Sequence, residues 1–536
     1  MINEESKKNY PTSWEVVKLG DFADSEKGKK PKNQQPLQNE EFYLPYIDIE
    51  AFEKGIFKSF TDGEKCIICD DSDFLMVWDG SRSGLVGKGL KGALGSTLVR
   101  INLPMINNLY GYYYLQSKYL EINTRAKGVG IPHVDPALLW SYDFPIPPVN
   151  EQNRIVDKIE TLFSEVDAGI ENLTLAKRQL EQYRQSLLKH AFEGKLTAKW
   201  REEYAEKHGK SLPNADELLE QIQTARQDYY NQQITDWEQS VEAWEEQGKE
   251  GSKPRKPSAI KTISIREDEL SSLPSSWSHA KVGQIADVMT GSTPLKSNAD
   301  YYDNGTIPWI TSGSLNNEYV SDTNNYVTEL AVEETNLKLF PKHTLLVAMY
   351  GEGKTRGKCS ELLFESTTNQ AIAGLIVNDD FEITRKYLKL FMLKNYDEVR
   401  RKSSGGVQPN LNLSLISNII FPLPPIQEQE KIIQTVTSNL EYQANIQREI
   451  DINLKKSHLL KTSILHKAFQ GKLVHQDPND PPASELLAQI KAEREAKALA
   501  EKQAKRDKAT SKSKAKTKSA KTPKKSKKDE QITLPL

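Results

Sequence analysis

The stretch FPIPPVNEQNRIVDKI, Phe144–Ile159, returns as FPLPPIQEQEKIIQTV, Phe421–Val436. An internal repeat constrains a fold before anything else, because whatever one copy builds the other builds again. Near its start the repeat has an offset of 263, with PTSWEVVKLGDFAD (Pro11–Asp24) against PSSWSHAKVGQIAD (Pro274–Asp287). The same offset holds at Pro45-Tyr46-Ile47 against Pro308-Trp309-Ile310. From Pro132 against Pro409 the offset is 277, and it stays there through LLKHAFEGKL (Leu187–Leu196) against ILHKAFQGKL (Ile464–Leu473). The middle of the second copy therefore carries 277 − 263 = 14 extra residues, while each copy ends without a gap. Loops on a sheet accept insertions and rigid elements resist them. The variable middle is expected to be β-rich, with runs such as FLMVW (Phe74–Trp78) and TLLVAMY (Thr344–Tyr350) bounded by Gly, Ser and Asp.

The gap-free ends read as helices. Pro147-Pro148 and Pro424-Pro425 stop the preceding element and suit a helix start. Ile155, Ile159, Leu162, Val166, Gly169, Leu173, Ala176, Leu180, Tyr183 and Leu187 come next at alternating spacings of three and four, a heptad seam broken only by Gly169. The second copy keeps Ile432, Val436, Ile446, Ile450, Leu460 and Ile464 and interrupts them with Asn439, Gln443, Asn453 and Ser457. Gly194 and Gly471 are plausible stops. Two unrelated amphipathic helices on separate cores would satisfy this pattern, but the shared length favours pairing within one chain. A shorter echo comes after each long helix, NADELLEQIQTARQ (Asn214–Gln227) against PASELLAQIKAERE (Pro482–Glu495). Between the copies lie the acidic, aromatic stretch DYYNQQITDWEQSVEAWEEQ and the linker GKEGSKPRKPS.

A length of 536 residues suggests about three to four domains. No run of about 18 apolar residues exists, so no membrane span is expected. The opening MINEESKKNYPTSW lacks the apolar core of a signal peptide, and three cysteines make no disulfide framework. The expected compartment is the cytoplasm. The net charge of −2 is unevenly spread: Lys491–Lys528 holds 16 Lys/Arg and 4 Asp/Glu, a net of +12, so the remainder carries −14. An acidic body argues only mildly against nucleic acid, since footprints are local. Beyond about Ala509 the composition is Lys/Ser/Thr/Ala and predicts disorder.

Catalytic and metal motifs are thin. AMYGEGKT (Ala348–Thr355) fits a loose phosphate-loop pattern, but Arg356-Gly357-Lys358 opens no apolar helical period after it. Cys66 and Cys69 form a lone CxxC without two further zinc ligands and fit a strand better. No H-E-x-x-H, G-x-S-x-G or methyltransferase N/D-P-P-Y/F signature is present. A set of Gly-rich, polar and basic segments does recur, in the same order in both copies. The candidate DNA contacts of the first copy are Lys29, Lys30, Lys32, Ser81, Arg82, Lys88, Lys91, Lys127 and His133. Those of the second are Thr293, Lys296, Ser312, Lys354, Thr355, Arg356, Lys358, Asn369, Gln370, Gln408 and Asn410. Arg and Lys suit phosphates and guanine edges, Asn and Gln suit adenine, and Gly lets backbone approach closely. Taken singly, each fits a solvated turn; as an ordered set they favour a nucleic-acid surface.

With these residues in view, the chain resembles the specificity subunit of a Type I restriction-modification enzyme. The resemblance rests on the paired starts Pro11–Trp14 and Pro274–Trp277 and the Pro-Pro-x-x-Glu-Gln phrases at Pro147–Gln152 and Pro424–Gln429. It also rests on the two AF-x-GKL helix ends and on LVAMYGEGKTRGK with TTNQA. It implies an α+β fold: two β-rich target recognition domains joined by two long antiparallel coiled-coil helices in a pseudo-twofold repeat. The implied divisions are recognition domains at 1–148 and 274–425 and spacer helices at 149–196 and 426–474. A helical connector and linker fills 197–273, a distal helical region 475–508, and a basic disordered tail 509–536. The implied partners are double-stranded DNA, two methyltransferase subunits and two restriction translocase subunits, with no membrane. Such a chain binds no cofactor itself; S-adenosylmethionine, ATP and Mg belong to the partners. A stand-alone coiled-coil DNA-binding protein and a nucleotide hydrolase built on Ala348–Thr355 are the other readings. The acidic insert and basic tail exceed a minimal plan, and Asp79-Gly80-Ser81-Arg82 in the first half departs from Tyr350-Gly351-Glu352-Gly353 in the second.

Overall fold

The computed structural model describes residues 10–128, 130–266, 271–350, 355–403 and 411–519. The chain divides into two compact units, Met1–Leu173 with Ile452–Leu536, and Thr174–Asp451. Each unit therefore draws on both sequence copies.

In the first unit, β1 (Glu15–Lys18) pairs antiparallel with β11 (Asp143–Ile146), setting Val17 opposite Phe144. One sheet runs β2 (Asp24–Lys27), β10 (Leu98–Asn102), β7 (Phe74–Val77), β8 (Val86–Lys88). A second runs β3 (Gln34–Gln35), β5 (Phe60–Thr61), β4 (Leu44–Ile47), β9 (Gly92–Leu94), β6 (Ile68–Cys69), with β4 and β9 parallel. Helices α1 (Ile49–Lys54), α2 (Asn108–Thr124) and α3 (Pro136–Trp140) fill the intervals before α4 (Val149–Phe192). Strand β7 shows why the sequence reads FLMV without alternation. Phe74 and Met76 enter a core with Tyr110, Tyr114 and Phe144, while Leu75 and Val77 enter another with Ile47 and Leu94. A strand buried on both faces reads as a continuous apolar run.

The second unit contains α5 (Ala198–His208) and α6 (Ala215–Glu246), then repeats the plan. Strand β12 (Ser278–Lys281) pairs with β22 (Ile420–Leu423), and α7 (Val282–Ile285) comes directly after β12. The larger sheet runs β13 (Asp287–Thr290), β21 (Ile372–Ile376), β18 (Leu345–Ala348), β19 (Cys359–Leu362), β15 (Tyr319–Val320). The smaller runs β16 (Tyr326–Val327), β14 (Ile307–Ile310), β20 (Ser366–Thr368), β17 (Leu339–Phe340), with β14 and β20 parallel. Its helices are α8 (Glu329–Glu334), α9 (Glu382–Ser403), α10 (Leu413–Ser417) and the start of α11 (Ile426–Ala468); α12 (Ala483–Ser519) belongs to the first unit. The offset is 263 from β4 to β14, 271 from β7 to β18, 274 from β10 to β21 and 277 from β11 to β22. The 14 extra residues are thus spread over three connections, as 8, 3 and 3, rather than gathered into one loop.

The long helices run antiparallel, and each unit shows it independently. In the first, the start of α4 packs on the end of α11: Ile155, Ile159 and Phe163 share a core with Ile464, Leu465 and Ala468. Lys461 there bonds Asp167 at 2.5 Å and lies over the Phe163 ring. In the second, Lys177 bonds Asp451 at 2.8 Å, and Tyr183 Oη donates to Asn439 Oδ1 at 3.4 Å. Leu460, placed on the seam by its spacing, is 49% exposed. The neighbouring Lys461 instead sets its ammonium over the Phe163 ring, 4.8 Å from the centroid.

The repeated phrase is a joint, and its acidic residue is the hub. Trp14 Nε1 donates to Glu151 Oε2 at 3.0 Å, and Trp277 Nε1 donates to Glu428 Oε2 at 2.8 Å. Gln152 and Gln429 turn back to donate to the carbonyls of Pro147 and Pro424 at 2.9 and 2.8 Å. The other carboxylate oxygen of each hub takes a donor from beyond the opposite copy's long helix. Gln476 Nε2 reaches Glu151 at 2.6 Å; Thr197 Oγ1 reaches Glu428 at 2.5 Å, with Arg201 also paired to it. Gly194 and Gly471, at φ +70° and +69°, let the chain turn there, where a Cβ would fall 2.4 and 2.5 Å from Pro274 and Pro11. The short echoes then dock on the opposite copy. Ala215 N donates to Ser276 O and Ala483 N to Ser13 O, both at 3.0 Å. Arg226 holds the Gly283 and Gln284 carbonyls and Asp287, and Arg494 holds the Asp21 carbonyl and Asp24.

Helix α12 continues to Ser519, about ten residues into the stretch whose composition predicted disorder. Ala, Lys, Glu and Arg are strong helix formers, so low complexity here is compatible with helix. Residues 520–536 of the basic tail lie outside the described residues.

Candidate nucleic-acid interface

In both units candidate segments leave one end of the sheet that begins with β2 in the first unit and with β13 in the second. Register places Lys27, Val77 and Leu98 at that end of the first sheet, and Thr290, Ala348 and Ile372 at the same end of the second. Gly28 and Gly291, 263 apart, open the first segment of each. Both are pressed against backbone: a Cβ would lie 2.2 Å from the Gly95 carbonyl oxygen at Gly28, and 1.8 Å from that of Thr368 at Gly291. Only glycine fits such an approach.

In the first unit three segments meet. Lys29, Lys30 and Lys32 are exposed just past β2, and the Lys29 amide donates to Leu94 O at 3.1 Å. The turn holding Ser81 and Arg82 is tied to the segment holding Lys127 and His133. Gly80 N donates to Pro132 O at 2.7 Å, and His133 pairs with both Asp79 and Lys127. Lys27 bonds Asp79 at 2.7 Å, and Arg82 pairs with Glu53. Lys127 bonds Asp135 at 2.8 Å and holds that carboxyl below the usual carboxylate range. Lys88 is not brought to this end. Its strand runs back so that it faces Phe74 at the other end of the sheet, where its ammonium bonds Glu160 of α4 at 2.9 Å. Lys91, exposed, lies just before β9 after the same return.

In the second unit Thr293 donates to Gln370, joining the segment after β13 to the turn before β21. Asn369 Oδ1 accepts from Ala371 N at 3.1 Å, and the Asn369 amide donates to Ile310 O at 2.9 Å. That bond sets the turn beside Ser312, which lies after β14 in a 3-10 turn. Lys358 Nζ donates to Asn316 Oδ1 at 2.8 Å, so Asn316, which the sequence pattern did not single out, belongs here too. Thr355 and Arg356 are half-buried, and Arg356 Nε is buried without a hydrogen-bond partner among the described residues. Lys296 is exposed. Lys354, Gln408 and Asn410 lie outside the described residues.

The rejected motifs resolve in physical terms. Strand β19 begins at Cys359, where a phosphate-cradling loop would need a helix. Cys69 is buried in β6, its thiol donates to Gly92 O at 3.5 Å, and burial pushes it up to about 12. Among the described residues no group of three His, Cys, Asp or Glu could hold a metal, and no helix is long and apolar enough to cross a membrane.

The profile of the Type I restriction modification DNA specificity domain matches this chain twice, over residues 11–175 and 274–456. The chain belongs to the Type I restriction-modification DNA specificity family. Among its relatives is the Type I restriction enzyme MjaVIII specificity subunit of Methanocaldococcus jannaschii, 23% identical over 86% of this chain and 93% of that one. The EcoDI specificity subunit of Escherichia coli is 25% identical over 91% of this chain and 96% of that one. A solved structure from work on complex assembly and conformational transition of the type I R-M system shares the fold. It covers 86% of this chain and 99% of its own, with a TM-score of 0.58 at 16% identity. The two β-rich halves are the family's DNA recognition domains, and α4 and α11 are the long helices that join them. The Trp–Glu hub of each joint is not a recognisable sequence motif. Its signal was present in SW recurring at 263 and EQ at 277, but the sequence alone does not say that the two meet.

Proposed function

We propose that this chain reads a split, asymmetric sequence in double-stranded DNA, one half-site per recognition domain. On this reading it has no catalysis of its own and carries two methyltransferase subunits and two ATP-driven restriction translocases in the cytoplasm. S-adenosylmethionine, ATP and Mg serve those partners. The carrying observation is the duplicated joint. Each recognition domain is fixed by a Trp–Glu hub to the start of one long helix and the end of the other. A domain so fixed takes its position from helix length, and one added residue moves the rest of the helix by about 1.5 Å and 100°.

Inserting four residues, about one turn, within Glu171–Gln185 and a matching four within the facing part of α11 tests this. Methylated-adenine sequencing is expected to show a changed gap between unchanged half-sites. Changed half-sites with an unchanged gap would refute it. Co-purification with a methyltransferase separates this reading from a stand-alone DNA-binding protein.

A further inference from the structure

Helix α6 is longer than its joint requires. Its docking contact ends at Arg226, yet it runs 20 residues further, to Glu246. Those residues hold six Asp/Glu and no Lys or Arg. The chain then reverses through Gly248, Lys249 and Gly251, all at positive φ, and returns along the helix. Trp237 Nε1 donates to Pro254 O at 3.0 Å and Trp244 Nε1 to Gly251 O at 3.3 Å. Lys256 lies over Trp237, and Lys249 and Lys253 lie over Trp244, at 5.2 to 5.9 Å from the ring centroids. An acidic helix and a basic return are thus joined by cation–π contacts.

The return ends on the second recognition domain. Arg255 Nη1 donates to Thr335 O at 2.6 Å and Asn336 Oδ1 at 3.5 Å, and Nη2 donates to Glu333 O at 3.3 Å. These groups lie at the end of α8. Ala331 of α8 shares a core with Trp309 and Val327, and Glu334 accepts from Tyr301 Oη at 3.0 Å. Trp309 Nε1 donates to Ser292 O at 3.2 Å, and Tyr302 Oη donates to Pro294 O at 2.6 Å. Packed groups therefore run without a break from Arg255 to the segment carrying Thr293 and Lys296.

We infer that Lys249–Lys256 is a strut and that Arg255 is a positioning residue for the second half-site, setting the smaller sheet of that domain against α6. This rests on the proposed function. Among the described residues helix α12, the counterpart of α6, runs on to Ser519 without such a return.

The test uses the full chain with its methyltransferase and a duplex carrying the target mapped by methylation. Two variants are compared with the native protein: Arg255→Ala, and Trp237→Ala with Trp244→Ala, which frees the return without touching the domain. Both are expected to speed amide exchange across Tyr326–Asn336 and to lower discrimination against second-half-site changes toward one, leaving first-half-site discrimination intact. Arg255→Lys, with one nitrogen in place of a planar fork, is expected to fall between. Unchanged exchange together with unchanged discrimination would overturn the strut, as would an equal loss at both half-sites. If the native complex discriminates at neither half-site, the functional reading fails, and the exchange measurement alone decides the strut.

Discussion

Glu151 and Glu428 fill corresponding places with different electrostatics. Glu428 is fully buried and ion-paired to Arg201. Glu151 is equally buried, but its donors are Trp14 and Gln476, and burial raises its carboxyl. Removing one partner of a buried pair costs about 3–5 kcal/mol. Arg201 keeps some exposure, so Glu428→Gln is expected to cost about 2–3 kcal/mol in urea unfolding, and Glu151→Gln within about 1 kcal/mol. Glu151 also carries a pH dependence. A folded pKa raised above the unfolded one gives stability that is full below the ordinary Glu range, near 4.3, and lost as pH rises through the raised value. Relative to the native chain, Glu151→Gln should therefore gain stability from acid toward neutral pH. A loss over that interval would contradict the assigned cause. Asp480 has the opposite sign, since Arg154 holds it low and its contribution is lost as pH falls through that lowered value.

At the scale of elements, the long paired helices were the most legible part of the sequence. Their heptads, proline starts and glycine stops are local patterns with one physical meaning each. The polar seam residues of α11 were legible as weak points. Gln443 is 6% exposed, and its Nε2 has no hydrogen-bond partner among the described residues. Gln443→Leu is expected to raise stability by about 1–2 kcal/mol, read as a higher melting temperature; a lower one would show that Gln443 makes a bond that matters. The illegible part depends on distance along the chain. Trp14 meets a residue 137 positions on, and Ser13 bonds Ala483. The echo after each long helix was visible, but only the fold shows that it docks on the opposite copy's domain. Lys88 lies apart from the other candidates for a related reason: composition marks a basic loop, whereas β-hairpin register decides which end of a sheet a lysine occupies.

At the scale of the molecule, one plan written twice produces two units, each holding one recognition domain, the start of its own long helix and the end of the other. The repeat came from the offsets, and the α+β class from the β-rich runs between the gap-free helical heptads together with the family resemblance; insertions collect in β-rich connections and not in paired helices. The end of each domain that carries the candidate contacts was less completely legible, since a basic turn and a reading turn have the same composition. The central claim is that two readers at a set separation recognise one split site. Single-molecule sequencing of methylated adenines in a host carrying this chain and its methyltransferase measures that claim directly. The predicted result is one asymmetric motif of two short half-sites separated by a fixed run of unspecified bases. A single contiguous motif, or half-sites at varying separation, would contradict it.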